Sequence, residues 1–147
     1  MTAPDASAQP LATRLIRAGA PQGLRGGTAA LPAERHLLAT EAWAQLSVAL
    51  AAEPALDLLA LWAEPGQVHA AFLDHTAPAL LLASTPAVAG ALSESGTAAP
   101  CYPALSPARP AAAWFERMIR DLWGLEAEGG TDLRPWLDHG RWPVRTP

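Results

Sequence analysis

Apolar and polar positions indicate a β-hairpin in the middle of the chain. The segment ALDLLALWAEPGQVHAAFLD, residues 55–74, contains two apolar stretches on either side of Pro65-Gly66. Proline followed by glycine suits the two central positions of a type II turn. We therefore expect a hairpin with arms near residues 57–63 and 67–73.

Two more apolar runs are candidate strands of the same sheet. Residues 79–85, ALLLAST, are expected to pair with the hairpin, and residues 34–40, ERHLLAT, form a possible further strand. The result is an antiparallel sheet of three to four strands. Residues 86–110 contain several prolines, so they are interpreted as a loop.

Helical spacing of apolar residues occurs on both sides of this sheet. In the first helix, Thr40 is the expected N-cap, and Pro54 ends the helix near Glu53. The second helix is expected over residues 110–123, where Pro110 suits the first helical position and Gly124 the C-terminal cap.

Together these elements predict an α+β fold, with two helices packed on an antiparallel sheet and an extended C-terminal arm. We divide the chain into a flexible lead-in at residues 1–32, an α+β domain at 33–125 and the arm at 126–147. The lead-in is rich in Ala, Pro, Gly and Thr. The arm contains prolines and glycines that exclude a long regular element.

Composition excludes several classes of function. The chain has 147 residues and a formal net charge of −4, and its arginines form no basic stripe, so nucleic acid is not an expected partner. A single cysteine excludes a disulfide framework and a cysteine-rich metal site. No segment resembles a membrane span or a signal peptide, which favours a soluble cytoplasmic protein.

The second predicted helix has an unusual distribution of charge. WFERMIRDLWGL, residues 114–125, places Glu116 four residues before Arg120, and Arg117 four residues before Asp121, among bulky apolar side chains. The narrow charged strip suits a helix that is gripped both by its own sheet and by a partner. A partly exposed amphipathic helix is the alternative.

The arm is rich in Trp and Arg, which are enriched at the energetic centres of interfaces. It therefore resembles a segment that wraps a partner, although folding back on its own domain is a competing interpretation.

Few residues suggest catalysis. His139 with Asp138 or Asp132 could form an acid–base pair in a small stand-alone enzyme, but local hydrogen bonding is the stronger interpretation. Cys101 has no nearby base, which favours an idle cysteine. The histidines lack the spacing of a zinc site.

A longer pattern resembles a known family. PAAAWFERMIRDLWGL followed by GGTDLRPWLDHGRWP, with YPALSP upstream, is similar to the C-terminal signature of the C-subunit family of NADH-quinone oxidoreductase, complex I. The form is closest to that of group 4 hydrogenases of the formate hydrogenlyase type. The family often has Phe where Trp123 stands and His in place of Gly130.

The resemblance implies a non-catalytic structural subunit, or N-terminal domain of a fusion, with no cofactor and no metal. It would dock the large catalytic subunit and the iron–sulfur small subunit at the inner face of the cell membrane, with membrane contact only through the complex. The expected partner-binding residues are Glu116, Arg117, Arg120, Asp121, Trp123, Asp132, Arg134, Trp136, Asp138, His139, Arg141 and Trp142.

Overall fold

The computed structural model describes residues 34–75, 79–90 and 98–142. The lead-in at 1–32 and the last residues of the arm, 143–147, lie outside the described residues. The elements are β1 Glu34–Leu37, α1 Thr40–Ala51, β2 Leu56–Glu64, β3 Gln67–Asp74, β4 Ala79–Pro86, β5 Val88–Ala89, β6 Pro100–Pro103, α2 Ala112–Trp123 and β7 Glu126–Glu128.

The main sheet has the strand order β1-β4-β3-β2. β2 and β3 form the predicted hairpin, closed by the Glu64 and Gln67 pair. Gly66 has a φ of 75°, as the third position of a type II turn requires. β3 pairs antiparallel with β4, and β1 joins the other edge of β4 in parallel. The sheet is therefore mostly antiparallel, and the fold is α+β as expected.

One face of this sheet forms the core with the helices. Trp43 and Leu46 of α1 are fully buried together with Phe72 and Leu81 of the sheet. The indole Nε1–H of Trp43 also donates to the carbonyl oxygen of Pro103 at 2.9 Å. Burying each large apolar side chain contributes about 1.5–3 kcal/mol. Trp43 therefore stabilises the packing of α1 on the main sheet, and its hydrogen bond links α1 to β6.

A small second sheet corrects the prediction of a loop over residues 86–110. Its order is β5-β6-β7, with β5 antiparallel and β7 parallel to β6. β6 and β7 lie on opposite sides of α2 in the sequence. Their pairing joins segments distant in the chain, and local residue preferences do not reveal such a contact.

Helix starts also differ from the prediction. Ala39 occupies the N-cap of α1 without a side-chain hydrogen bond, so Thr40 is the first helical residue and not the cap. α2 begins at Ala112 because Pro110 lies in a preceding turn, where its carbonyl oxygen accepts the N–H of Ala113. The C-terminal end of α2 agrees with prediction, since Gly124 is left-handed with a φ of 67°.

No helix among the described residues combines the length and apolar character needed to cross a bilayer.

Candidate partner-binding site

The charged strip of α2 faces the rest of the chain. Glu116 is buried, and its Oε1 accepts the backbone N–H groups of Leu105 at 2.7 Å and Ser106 at 2.9 Å. The carboxylate therefore fixes the loop before α2. Helical spacing suggested the pairs Glu116–Arg120 and Arg117–Asp121. In the structure, Glu116, Arg117 and Asp121 instead bind residues that lie farther away in the sequence.

Arg117 binds the first part of the arm. Its Nε donates to the carbonyl oxygen of Arg134 at 2.8 Å, and its Nη2 donates to that of Pro135 at 2.7 Å. Nη1 contacts Oδ2 of Asp132 at 3.1 Å. A buried guanidinium can satisfy its donors in this way only with several acceptors in one plane, so Arg117 determines the path of residues 132–135.

Asp121 binds the next part of the arm. Its Oδ2 accepts the backbone N–H groups of Trp136, Leu137 and Asp138 at 2.8, 2.6 and 3.2 Å. Burial raises the pKa of Asp121, but the N–H groups of Leu137, Trp136 and Asp138, together with Arg120, outweigh this effect. The net pKa lies below its usual range, so the carboxylate is charged at neutral pH.

Asp132 closes a local turn with two arginines. Oδ1 accepts the backbone N–H and the Nε–H of Arg134 at 3.0 and 2.9 Å, while Oδ2 contacts Arg134 Nη2 at 2.7 Å as well as Arg117. The side-chain hydrogen bonds with Arg134 lower the pKa of Asp132 most strongly. Arg120 adds a hydrogen bond to the carbonyl oxygen of Leu133.

The end of the described arm is organised by Asp138. Its Oδ1 accepts the N–H groups of Gly140, Arg141 and Trp142 at 2.8, 2.9 and 3.1 Å. Local hydrogen bonds therefore replace regular secondary structure, as the sequence suggested. His139, the other member of the possible acid–base pair, is exposed.

A cleft of about 440 Å³ lies between α2, the small sheet and the arm. Its lining includes Glu116, Arg120, Glu128 and Cys101, but not His139. Burial, followed by the charges of nearby glutamates, raises the pKa of the Cys101 thiol, which disfavours a reactive thiolate. The described residues contain no group of three or more His, Cys, Asp or Glu that could hold a metal ion.

An aromatic cluster covers the outer side of the Arg117 network. The rings of Trp114 and Trp136 pack edge to face with their centroids 4.5 Å apart. The Arg117 guanidinium lies 5.4 and 5.0 Å from the two ring centroids. Both tryptophans remain largely exposed, at 54% and 42%. Trp123, by contrast, is half-buried and packs against the core.

Two contributors were not identified from the sequence. Ser106 is buried, and its Oγ accepts the N–H of Thr131 at 3.0 Å, which attaches the start of the arm. Trp114 is an exposed member of the aromatic cluster. The sequence shows that Trp114 is one of several bulky residues of α2. Helical spacing alone does not show whether such a residue faces the core or the solvent.

The arrangement defines a class of protein. It is an α+β domain in which side chains of the last helix hold an extended C-terminal segment in a fixed conformation. The chain belongs to the family of the respiratory-chain NADH dehydrogenase 30 kDa subunit, whose sequence pattern matches residues 74–147. This match confirms the resemblance to the C-subunit family. It supports a subunit of a complex-I-like oxidoreductase, and hence protein partners. No curated protein matches the chain in a sequence comparison.

Proposed function

We propose that the chain is a non-catalytic structural subunit that docks the large catalytic subunit and the iron–sulfur small subunit of its complex. The host is a complex-I-like NADH-quinone oxidoreductase or a group 4 hydrogenase. The chain acts as a separate subunit or as the N-terminal domain of a longer one. In the assembly it lies at the cytoplasmic face of the membrane, which it reaches only through its partners.

The main observation behind this proposal is that buried charged residues of α2 hold the backbone of the arm. Arg117 and Asp121 bind backbone groups of the arm, whose described part, residues 126–142, contains only the short strand β7. Large apolar side chains of that same arm remain exposed, including Leu133 at 69%. Holding apolar side chains in water has no benefit for a monomer, whereas a preorganised surface lowers the entropic cost of binding.

The proposed binding residues contribute in two ways. Exposed side chains contact the partner directly, and buried ones such as Arg117 and Asp121 hold the arm in its binding conformation. Glu116 and Trp123 support the helix that carries them, through the loop before α2 and through the core. The full set is Glu116, Arg117, Arg120, Asp121, Trp123, Asp132, Arg134, Trp136, Asp138, His139, Arg141 and Trp142.

Co-purification tests this function. The tagged full chain is isolated from its source cell under non-denaturing conditions, and its partners are identified by mass spectrometry. We expect the large and iron–sulfur subunits of one oxidoreductase. The nickel content and quinone-reductase activity of that complex then distinguish a hydrogenase from a quinone reductase.

A matched pair of variants tests the surface. Leu137→Ser should reduce recovery of both subunits, whereas Val48→Ser, which alters an exposed aliphatic residue of α1, should not. The two side chains are 42% and 73% exposed, so neither change should unfold the domain. Equal recovery with both variants would argue against docking through the arm.

A further inference from the structure

The charged side chains of the described arm beyond residue 130 differ in exposure, whereas Glu126 and Glu128 at the start of the arm are both exposed. The carboxylate of Asp138 is buried, as is that of Asp121 on α2, and that of Asp132 is only 20% exposed. The Arg134 side chain, in contrast, is 79% exposed, and Arg141 is also exposed. The described arm beyond residue 130 therefore presents cations to solvent, although the whole chain has a formal charge of −4.

Arg134 is bound by Asp132 through its Nε and Nη2 atoms, but Asp132 is shared with a second arginine. The single carboxylate of Asp132 contacts both Arg117 and Arg134, at 3.1 and 2.7 Å. Two guanidinium groups share one negative charge, which leaves this cluster with a formal excess of one positive charge.

Apolar side chains alternate with these cations. We define the arm face as the side chains of Leu133, Arg134, Trp136, Leu137, Arg141 and Trp142. Its apolar members are between 42% and 69% exposed. Exposed aromatic and arginine side chains close together in the sequence are typical of interface centres.

We infer that the arm face docks on a protein surface that is apolar and carries carboxylates opposite Arg134 and Arg141. This inference rests on the proposed docking function and specifies the chemistry of the partner. Guanidinium groups bind carboxylates with paired hydrogen bonds, which fixes orientation, while the tryptophans and leucines exclude water from the contact.

A folded protein fits this surface better than an anionic membrane does. Membrane recognition through charge commonly uses clusters of about four to eight basic residues. The described arm face offers two, interleaved with large apolar groups. Specific pairing with a few carboxylates requires no more than this.

The test compares two double variants of the full chain with the same change in net charge. Arg134→Gln with Arg141→Gln removes two positive charges from the arm face. Gln45→Glu with Val48→Glu adds two negative charges to the exposed side of α1, outside α2 and the arm. Dissociation constants for the purified pair of large and iron–sulfur subunits are measured at low and high salt.

We expect the arginine variant to bind about tenfold more weakly at low salt and to show a smaller salt dependence than the wild type, with the α1 variant unchanged. Equal affinities of the two variants, with wild-type binding intact, would overturn the inference but leave the docking function standing. Failure of the wild type to bind the subunits would instead reject the docking function. Binding of the wild type to phosphatidylcholine–phosphatidylglycerol vesicles, lost in the arginine variant, would also overturn the inference.

Discussion

Replacing Asp121 by Asn tests whether one buried charge holds the arm on α2. The side chain is 2% exposed, and one of its oxygens accepts three backbone N–H groups from residues 136–138. Asn retains a carbonyl oxygen of nearly the same size and loses the negative charge. The substitution therefore removes electrostatic stabilisation while leaving the packing in place.

The magnitude follows from the number and type of these hydrogen bonds. A hydrogen bond to a charged group contributes about 1.5–3 kcal/mol and a neutral one about 0.5–1.5 kcal/mol. The difference is about 1 kcal/mol per bond, and sharing of a single oxygen makes the total about 2–3 kcal/mol. Local opening of the arm should then become about 30- to 140-fold more frequent, at 1.4 kcal/mol per tenfold.

Amide hydrogen exchange measures this opening directly. Protection of the amides of Trp136, Leu137 and Asp138 should fall by that factor in Asp121→Asn, while protection in β3 should change far less. Asp57→Asn is the control, because this carboxylate is 53% exposed and its contact with His75 lies at the surface.

Unchanged protection at residues 136–138 in Asp121→Asn would refute the assigned role of the carboxylate. The same conclusion would follow if Asp57→Asn exposed these amides equally, because the loss would then be a general effect of removing negative charge.

Two other predictions concern the arm and the core. The folded-state pKa of Asp121 is lowered below its usual value near 3.9, so its contribution is complete above that value and is lost as the pH falls through the folded-state pKa. Protection factors of residues 136–138 should accordingly decline as the pH falls below the usual pKa of an aspartate; a flat profile would contradict this. In the core, Trp43→Phe removes the hydrogen bond to Pro103 and should lower the free energy of unfolding by about 1–3 kcal/mol in denaturant titrations. Trp62→Phe, at a position 37% exposed, should cost less than about 1 kcal/mol, and equal losses would show that the hydrogen bond is unimportant.

The hairpin, the end of α2 and the family could all be predicted from the sequence. Pro65-Gly66 and Gly124 act through backbone preferences that involve only neighbouring residues, and both are found in the expected conformations. The family was recognisable because its signature is a linear pattern of residue types.

The small sheet and the partners of the charged residues depended on the tertiary structure. β6 and β7 are separated in the sequence by α2 and pair in parallel only because the helix brings the chain back beside β6. No local pattern therefore marks either strand. Helical spacing suggested pairs between residues four apart, at a few tenths of a kcal/mol each. The folded chain offers Arg117 and Asp121 several backbone partners in the arm instead. Such contacts are stronger because they are buried and multiple, and they exist only when segments distant in sequence are brought together.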